Sequence, residues 1–244
     1  MSSSTILLVL LTLALILRTS FGAEPLQHFC SNSETFTAQY PYASNLKTLI
    51  TTLIAYTPPT GFGLSITPDP NQNQTAFGLA LCRGDTSASE CKACLSEATK
   101  ELLSFCPHHK GGIIWYDYCM FKYNNTAFFG KIDNKNGFIR STLKSVSDPE
   151  TFNRKTKQLL SMLAQRAYGN SKFYASGKLE LQKPETLYGL IQCSRDLSSI
   201  DCKECLQEAI NRFPVHVSRV VVGGGIVGGS CNFRYELYPF FNIN

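Results

Sequence analysis

The sequence predicts an α+β protein of two tandem small domains, each an antiparallel sheet packed with two helices and stapled by disulfides. The first observation is a pattern, Cys-x8-Cys-x2-Cys, that occurs at Cys82–Cys94 and again at Cys193–Cys205, with equivalent cysteines 111 residues apart. The second is that all ten cysteines follow the N-terminal apolar segment. The third is that helical and β-rich segments accompany both copies of the pattern. A fixed period of this kind indicates two copies of one structural unit.

The repeat extends beyond the cysteines. Phe77-Gly78-Leu79 precedes the first copy, and Tyr188-Gly189-Leu190 precedes the second. A chain of about 220 mature residues fits two domains of about 110 residues each. We place the domains at residues 23–143 and 148–244.

The first 22 residues are predicted to be a secretory signal peptide. Ile6 to Leu17 is an unbroken run of apolar residues and threonine, followed by the small residues Ser20 and Gly22. Signal peptides have an apolar core of about 7–15 residues that ends in small residues. As a helix this core is about 18 Å long, short of the roughly 30 Å of a bilayer interior. We expect cleavage near Gly22, a secreted chain and no membrane span.

The charge pattern argues against a nucleic-acid partner. The formal net charge is +5, and the longest basic cluster is Arg154-Lys155-x-Lys157. A nucleic-acid-binding surface needs a concentrated basic stripe. This cluster is instead typical of the solvated face of a helix.

The elements of the first domain follow from apolar stripes and turn residues. Ser44 is the expected cap of a first helix that ends before Pro58-Pro59. Residues 61–73 are predicted to form a loop. Ser87 and Glu90 have the spacing of a capping box for a second helix. The predicted strands are residues 75–82 and 113–123, with a short one at 128–129, and residues 138–143 close the domain.

The second domain is predicted to open with a helix. Asp148 is its expected N-cap, with proline at the first helical position, and Gly169 ends it. Another helix follows the second cysteine pattern. Residues 217–222 and 231–241 are the expected strands, joined by a glycine-rich hairpin. Because only residues 144–147 connect the domains, we expect the two domains to pack against each other.

The cysteines favour disulfides over a metal or redox site. A zinc site would need two Cys-x2-Cys pairs about 15–20 residues apart, and here each pair has only single cysteines nearby. A redox pair belongs to a reducing compartment, whereas secretion permits disulfides. We expect five disulfides, no metal and no cofactor.

The duplication constrains how the cysteines pair, although spacing alone does not fix connectivity. Cys30 and Cys106 have no counterparts in the second domain, which suggests that they bond to each other. The other four must pair alike in both copies, and neighbouring cysteines on one helix turn point to different partners. The expected pairs are Cys30–Cys106, Cys82–Cys91, Cys94–Cys119, Cys193–Cys202 and Cys205–Cys231.

These motifs resemble a known plant family. The doubled cysteine pattern, the aromatic-Gly-Leu triplets and the terminal Cys231-Asn-Phe-Arg-Tyr-Glu-Leu-Tyr-Pro-Phe-Phe are similar to the ginkbilobin-homologous, or stress-antifungal, domain. Two copies after a signal peptide resemble a cysteine-rich repeat secretory protein. The resemblance covers nearly all of the mature chain and implies the disulfide pairs given above.

The resemblance also implies a candidate sugar site. A family lectin binds mannose through Asn, Arg and Glu, which fall at Ser31, Ile113 and Asn124 in the first domain. In the second domain the Arg position is Gly225 and the Glu position is Glu236, so only Glu236 matches. A carboxylate alone does not supply a converging set of donors and acceptors. We therefore expect weak or no mannose binding.

Two sequons predict N-glycosylation, at Asn73 and at Asn124. Two other motifs do not indicate a cofactor, a metal site or a catalytic site. Gly223 to Gly228 fits a dinucleotide pattern, but a strand follows it where a helix would be needed. His108-His109 has no convergent partners for metal binding or catalysis. No catalytic residues are predicted, and we expect no enzyme.

The expected function is that of a non-enzymatic binding protein of the plant apoplast, acting in defence or stress response. Its expected partner is an extracellular protein of unknown identity. A glycan is the second partner class, as in a mannose-type antifungal lectin. The aromatic residues of the last strand are the candidate contact surface, with core packing as the equal alternative: Tyr235, Tyr238, Phe240 and Phe241.

Overall fold

A computed structural model gives the structure of the chain for residues 24–31, 34–39, 41–70, 74–182, 184–216 and 220–242. The predicted signal peptide lies outside the described residues. Within those ranges the chain forms two five-stranded antiparallel sheets and four α-helices, the fold class that the sequence predicts.

The first domain has the strand order β1-β4-β5-β3-β2. Its two helices cover one face of this sheet, and the helix leucines pack into a core with the inward side chains of β3, β4 and β5. The elements are β1 (Gln27–Cys30), α1 (Pro41–Tyr56), β2 (Phe62–Thr67), β3 (Ala76–Cys82), α2 (Ala88–Phe105), β4 (Gly112–Trp115) and β5 (Cys119–Asn124).

The second domain repeats this arrangement, with the strand order β6-β9-β10-β8-β7. Each strand occupies the place of its counterpart in the first sheet, so the sequence duplication is a structural duplication. The elements are β6 (Gly137–Ser141), α3 (Pro149–Tyr168), β7 (Tyr174–Glu180), β8 (Thr186–Cys193), α4 (Ser199–His216), β9 (Gly224–Gly228) and β10 (Cys231–Glu236).

The predicted boundary between the domains is wrong by one strand. The sequence predicts that residues 138–143 end the first domain, but β6 pairs with β9 in the second sheet, with Phe138 opposite Val227. Each copy begins with a strand that precedes its first helix, as β1 precedes α1. The cysteine that ends β1, Cys30, is replaced by Ser141 at the end of β6, so the marker of the repeat is missing there.

Other strand predictions also need correction, and residues 128–129, predicted as a short strand, belong to no strand of the described chain. Residues 62–67, predicted as loop, form the edge strand β2. The glycine run predicted as a hairpin is itself the strand β9, between β6 and β10. Glycine is required there because a Cβ on Gly225 would lie 2.0 Å from the carbonyl oxygen of Phe233. The expected strand at 217–222 lies partly outside the described residues.

The helix caps follow the sequence closely. The Ser87 hydroxyl accepts from the backbone N–H of Glu90 at 3.3 Å, and the Glu90 carboxylate accepts from the N–H of Ser87 at 2.9 Å. Asp148 Oδ1 accepts from the N–H of Thr151 at 3.1 Å. These contacts satisfy backbone donors that have no partner within the helix. The first helix starts at Pro41, before the Ser44 cap that we expected.

The glycine of each aromatic-Gly-Leu triplet has a packing role. A Cβ on Gly78 would lie 2.6 Å from Leu49 of α1, and one on Gly189 would lie 3.0 Å from Leu159 of α3. Cβ atoms do not approach other heavy atoms at the shorter of these distances. The triplet therefore lets the first helix of each domain pack directly on β3 or on β8.

Five disulfides link helices to strands and join the same pairs that the duplication argument gives. None of the cysteines is free. One bond ties the end of β1 to the residue after α2, and the other four tie the start of α2 or α4 to strands of its own sheet. The pairs are Cys30–Cys106, Cys82–Cys91, Cys94–Cys119, Cys193–Cys202 and Cys205–Cys231.

The helix-free faces of the two sheets pack against each other. Trp115 of β4 is only 2% exposed; its ring lies 5.7 Å from that of Phe138, and its Nε1 donates to the carbonyl oxygen of Gly228 at 3.1 Å. Gln192 of β8 donates to the carbonyl oxygen of Cys82 at 3.0 Å. An apolar cluster and hydrogen bonds thus join the domains through their sheets.

Candidate functional site

Glu236, the predicted sugar ligand, lies on β10 beside the domain interface and is buried, with 6% exposure. Its Oε1 accepts from Nε of Arg234 at 3.0 Å. Arg234 also contacts Asp117 of the first domain at 3.5 Å and donates to the hydroxyl of Tyr238 at 3.0 Å. The carboxylate is therefore held by a neighbouring cation and is poorly placed to receive sugar hydroxyls.

The surroundings of Glu236 are tightly packed. A Cβ on Gly223 would lie 1.9 Å from Oε2 of Glu236. The N–H of Gly223 donates to the Thr142 hydroxyl at 3.2 Å, and the N–H of Thr142 donates to the Gly223 carbonyl at 2.9 Å. Thr142 is the second-domain counterpart of Ser31. The structure therefore brings two of the three positions of the predicted sugar site together, those of Thr142 and Glu236. Gly225, the third position, contributes only backbone.

In the first domain the corresponding positions have a different chemistry. A Cβ on Gly111 would lie 2.9 Å from Cβ of Ser31 and 3.1 Å from Nδ2 of Asn124, so these two side chains meet at one point. Ile113 is 2% exposed and belongs to the apolar cluster between the domains. This position is therefore part of the domain interface.

The Asn124 sequon lies at the end of β5 and is half-buried. The Asn124 side-chain oxygen accepts from both the N–H and the hydroxyl of Thr126, at 3.2 Å each. Asn73, the other predicted glycosylation site, lies outside the described residues. Glycosylation at both positions stays a prediction.

The aromatic residues proposed as a contact surface divide into core and tail. Tyr235 is 3% exposed and its hydroxyl donates to the carbonyl oxygen of Val221, so it belongs to the core. Tyr238 is exposed. Phe240 lies 4.3 Å from the guanidinium of Arg234. Further along the chain, Asn242 donates hydrogen bonds to Asp85 of the first domain. The C-terminal residues therefore connect the two domains. Phe241 packs against the ring of Tyr188.

An apolar surface lies next to the interface, at residues that no sequence motif marks. Leu64 and Ile66 on β2 are 42% and 51% exposed. They lie on the helix-free face of the first sheet, as does Phe77 of β3, which is opposite Ile66 and 5.9 Å from the ring of Phe129. We call these four residues the β2 patch. Only the alternation of apolar residues in Phe62-Gly-Leu-Ser-Ile-Thr could have indicated it.

No metal centre is found among the described residues, where no three His, Cys, Asp or Glu side chains converge. Nδ1 of His109 lies 2.6 Å from the carbonyl oxygen of Ser31, which makes it part of the loop packing. None of the helices in the described part of the chain is long and apolar enough to cross a membrane.

Comparison with known proteins identifies the family. A family model described as salt stress response/antifungal matches the chain twice, at residues 29–126 and 140–238. The chain belongs to the salt stress response/antifungal family. The second match begins within β6, in agreement with the strand pairing of the second domain.

Relatives in this family match along almost the whole chain. An antimicrobial ginkbilobin-2-like protein of Castanea crenata is 50% identical over 240 residues, which cover 98% of each chain. Cysteine-rich repeat secretory protein 38 of Arabidopsis thaliana is 49% identical over 216 residues, which cover 87% of this chain and 84% of the relative.

The fold also matches a solved structure. The tandem DUF26 ectodomain of the Arabidopsis thaliana cysteine-rich receptor-like protein PDLP8 superposes with a TM-score of 0.78 at 23% identity. The match covers 89% of this chain and all of that one. It extends the fold assignment to both domains together.

Proposed function

We propose that this chain is a secreted, non-enzymatic binding protein that acts in stress or defence in the plant extracellular space through contact with another protein. The names of its relatives, secretory and antimicrobial, support the location and the setting. The five disulfides fit an oxidising compartment. The observation that carries the proposal is the β2 patch.

The patch combines apolar side chains with an unpaired strand. β2 is the last strand of the first sheet, and in the described residues no strand pairs with its outer edge. An extended peptide can add to such an edge, with main-chain hydrogen bonds for affinity and alternate side chains for specificity. Leu64 and Ile66 are two residues apart and so lie on one face. The partner that fits is an extended segment with apolar residues at alternate positions.

The second domain serves as an internal comparison. β7 is the equivalent edge strand, and its pairing with β8 places Ser176 opposite Leu190 and Lys178 opposite Tyr188. These are the places that Leu64 and Ile66 take in the first sheet. Both edges offer the same backbone groups, but at these two matched positions only β2 has exposed apolar side chains. A lysine on an edge strand also discourages strand addition.

The apolar surface of the patch continues an established one. The apolar cluster between the domains includes Leu79 and Leu81 of β3, and Phe129 packs at its margin. Leu79 is directly opposite Leu64 on β2. A partner strand added at β2 would therefore enlarge the apolar surface of the first sheet that the second domain already shields from water.

The alternative of a mannose lectin has less support from the geometry. The Glu236 carboxylate is bound by Arg234, and the other family positions hold Gly225, Ile113 and Asn124. A lectin needs several convergent polar groups in one site. A glycan array would show clear sugar hits if this alternative were right.

The duplication supplies a matched test of the protein-binding proposal. The double variant Leu64→Ser, Ile66→Lys gives β2 the side chains of β7. The reciprocal variant Ser176→Leu, Lys178→Ile transfers the apolar side chains to the second domain. Each oxidised protein is immobilised and used to capture partners from plant extracellular fluid, with quantification by mass spectrometry.

We expect at least one protein to bind the wild type and to be lost with the L64S/I66K variant. It should remain with the S176L/K178I variant. The loss should be about tenfold or more, because two buried aliphatic side chains contribute about 1.5–3 kcal/mol each. Capture that is the same for both double variants would contradict the proposal.

A further inference from the structure

A polar cleft of about 330 Å³ opens between the two domains. One wall is the segment Pro58–Gly61 after α1 and the connection between β3 and α2; the other is formed by second-domain residues that include Lys172 and Arg195. We call it the junction cleft. None of its lining residues takes part in the Glu236 site or in the β2 patch, so it lies apart from the function proposed above.

The charge of the junction cleft is unbalanced. Its lining includes three basic residues and no acidic one. Arg83 is already paired with Asp85, through Nε–Oδ1 and Nη2–Oδ2 contacts of 2.6 and 2.9 Å. Across the described residues, neither Lys172 nor Arg195 has a carboxylate within ion-pair distance. The cleft therefore offers two cations to a ligand.

Arg195 is held in place across the domain boundary. Its Nη1 donates to the carbonyl oxygen of Thr60 at 2.7 Å, and its guanidinium lies 5.3 Å from the ring centroid of Phe62. The residue is half-buried. A guanidinium that is fixed in this way is preorganised for the planar contact that a carboxylate makes.

The cleft also presents neutral polar groups. The Oγ1 atom of Thr86 is buried and has no hydrogen-bond partner in the described structure. Gln192 lines the same cleft, with its Nε2 already bonded to the carbonyl oxygen of Cys82. These groups suit hydroxyls on the ligand.

We propose that the junction cleft binds a small hydroxylated carboxylate, a uronic acid unit of an acidic saccharide. Its carboxylate contacts Lys172 and Arg195, and its hydroxyls contact Thr86 and the neighbouring backbone. The volume is at the lower end of the range for ligand pockets, about 300–1,000 Å³, and suits one or two sugar units. Because both domains line the cleft, the ligand also bridges them.

The test uses the intact oxidised two-domain protein and three probes. Digalacturonate carries the carboxylates and hydroxyls, its dimethyl ester carries the hydroxyls without the charge, and sulfate carries charge alone. Amide chemical shifts and titration calorimetry measure binding. The variants are Lys172→Gln and Arg195→Gln, with Lys203→Gln as the matched control, an exposed lysine of the second domain outside the cleft.

We expect digalacturonate to shift the amides of Thr60, Gly61 and residues 192–195 and to bind more tightly than the ester or sulfate. Each cleft variant should weaken this binding about tenfold, as expected for the loss of a hydrogen bond to a charged group. The K203Q variant should bind as the wild type does. K172Q removes no contact between the domains, so it tests the site even if R195Q loosens the interface.

Equal binding of digalacturonate and its ester would contradict the proposal, as would wild-type binding by K172Q and R195Q. Sulfate binding as tight as that of digalacturonate would show an anion site without sugar recognition and would also overturn it. None of these three results affects the β2 test, because that test concerns a different surface and a protein partner.

Discussion

A few individual residues determine whether the Glu236 site can bind a sugar. Arg234 holds the only family-matching ligand, and Gly223 and Gly225 are fixed by close contacts that leave no space for a side chain. In the first domain, Ile113 stands at the position that the family resemblance assigns to an arginine, and it belongs to the apolar cluster between the domains. Of the positions that the family resemblance assigns to sugar contacts, only Glu236 carries the expected side chain.

The first prediction concerns mannose. Millimolar mannose should leave the amide spectrum and the melting temperature unchanged, because a single paired carboxylate offers too few donors and acceptors. The variant Glu236→Gln should behave in the same way toward the sugar. Saturable shifts at Glu236 and Gly223 that E236Q abolishes would show that the site is functional after all.

The second prediction concerns acid stability. Burial alone would raise the pKa of Asp133, but Lys122 and hydrogen bonds from Asn136 outweigh it and hold the pKa below its ordinary value of 3.8. The pKa of Asp85 is lowered in the same way, as hydrogen bonds from Arg83 and Asn242 outweigh burial. A carboxyl with a depressed pKa contributes stability above its ordinary pKa, and that stability is lost as pH falls through the folded value.

Melting temperatures between pH 7 and pH 2 test this. The wild type should lose stability below about pH 4. At pH 7, Asp133→Asn should cost about 3–5 kcal/mol, because it leaves a buried lysine without its partner. Glu180→Gln on β7 is the exposed control and should change little. A D133N protein as stable as the wild type at pH 7 would refute the role given to this pair.

At the scale of elements, the duplication explains why some parts could be predicted and others not. The aromatic-Gly-Leu triplets and the cysteine pattern lie on β3, β8 and the helices after them, where sequence and structure repeat together. β6 was missed because Ser141 replaces the cysteine that marks the end of β1. β2 was missed because it begins beside Gly61 and Gly63 in a segment with Pro and Asn, which resembles a loop.

The candidate sites depend on contacts between side chains that the periodicity of the sequence does not predict. Glu236 was predictable from a motif, but its ion pair with Arg234 is visible only once both lie on the same face of β10. The junction cleft joins Thr86 to Arg195 across the domain boundary, and no local pattern relates them. The packing of two sheets, face to face, decides which side chains remain accessible.

The third prediction compares two disulfides within the first domain. Cys30–Cys106 closes a loop with a sequence separation of 76, whereas Cys82–Cys91 closes one of 9. A cross-link over a longer loop removes more entropy from the unfolded chain, by about 2 kcal/mol for this difference. We expect Cys30→Ala, Cys106→Ala to lower the free energy of unfolding more than Cys82→Ala, Cys91→Ala.

Denaturant unfolding of the two double variants measures this difference. Both proteins should remain oxidised at the other four disulfides, which intact-mass measurement checks. The opposite order would mean that packing of the buried Cys82–Cys91 bond outweighs loop entropy.

For the whole molecule, the sheet-to-sheet interface makes two small domains into one body. Trp115 lies at its centre, with aromatic contacts to both domains: Phe29 at 5.7 Å and Phe138 at 5.7 Å. The Asp117 carboxylate accepts from Arg140 at 2.7 Å across the same boundary. The second domain therefore covers part of the first sheet and leaves the β2 end open.

The fourth prediction tests this coupling. Trp115→Ala should cost about 3–5 kcal/mol, as expected for a buried tryptophan, and should lower the stability of both domains. Calorimetry should show one transition for the wild type and two for the variant. Tyr56→Ala, at a tyrosine that is 78% exposed, is the control and should keep a single transition. A variant that still melts in one step would argue against an interface centred on Trp115.

The most direct test of the β2 patch as the partner-binding surface is photo-crosslinking from matched positions. A photoreactive amino acid is placed at position 64 or at position 176, the equivalent site of the second domain. Each protein is then irradiated in plant extracellular fluid. The patch predicts a discrete protein adduct from position 64 and none from position 176. Equal adducts from both positions, or adducts from 176 alone, would contradict it.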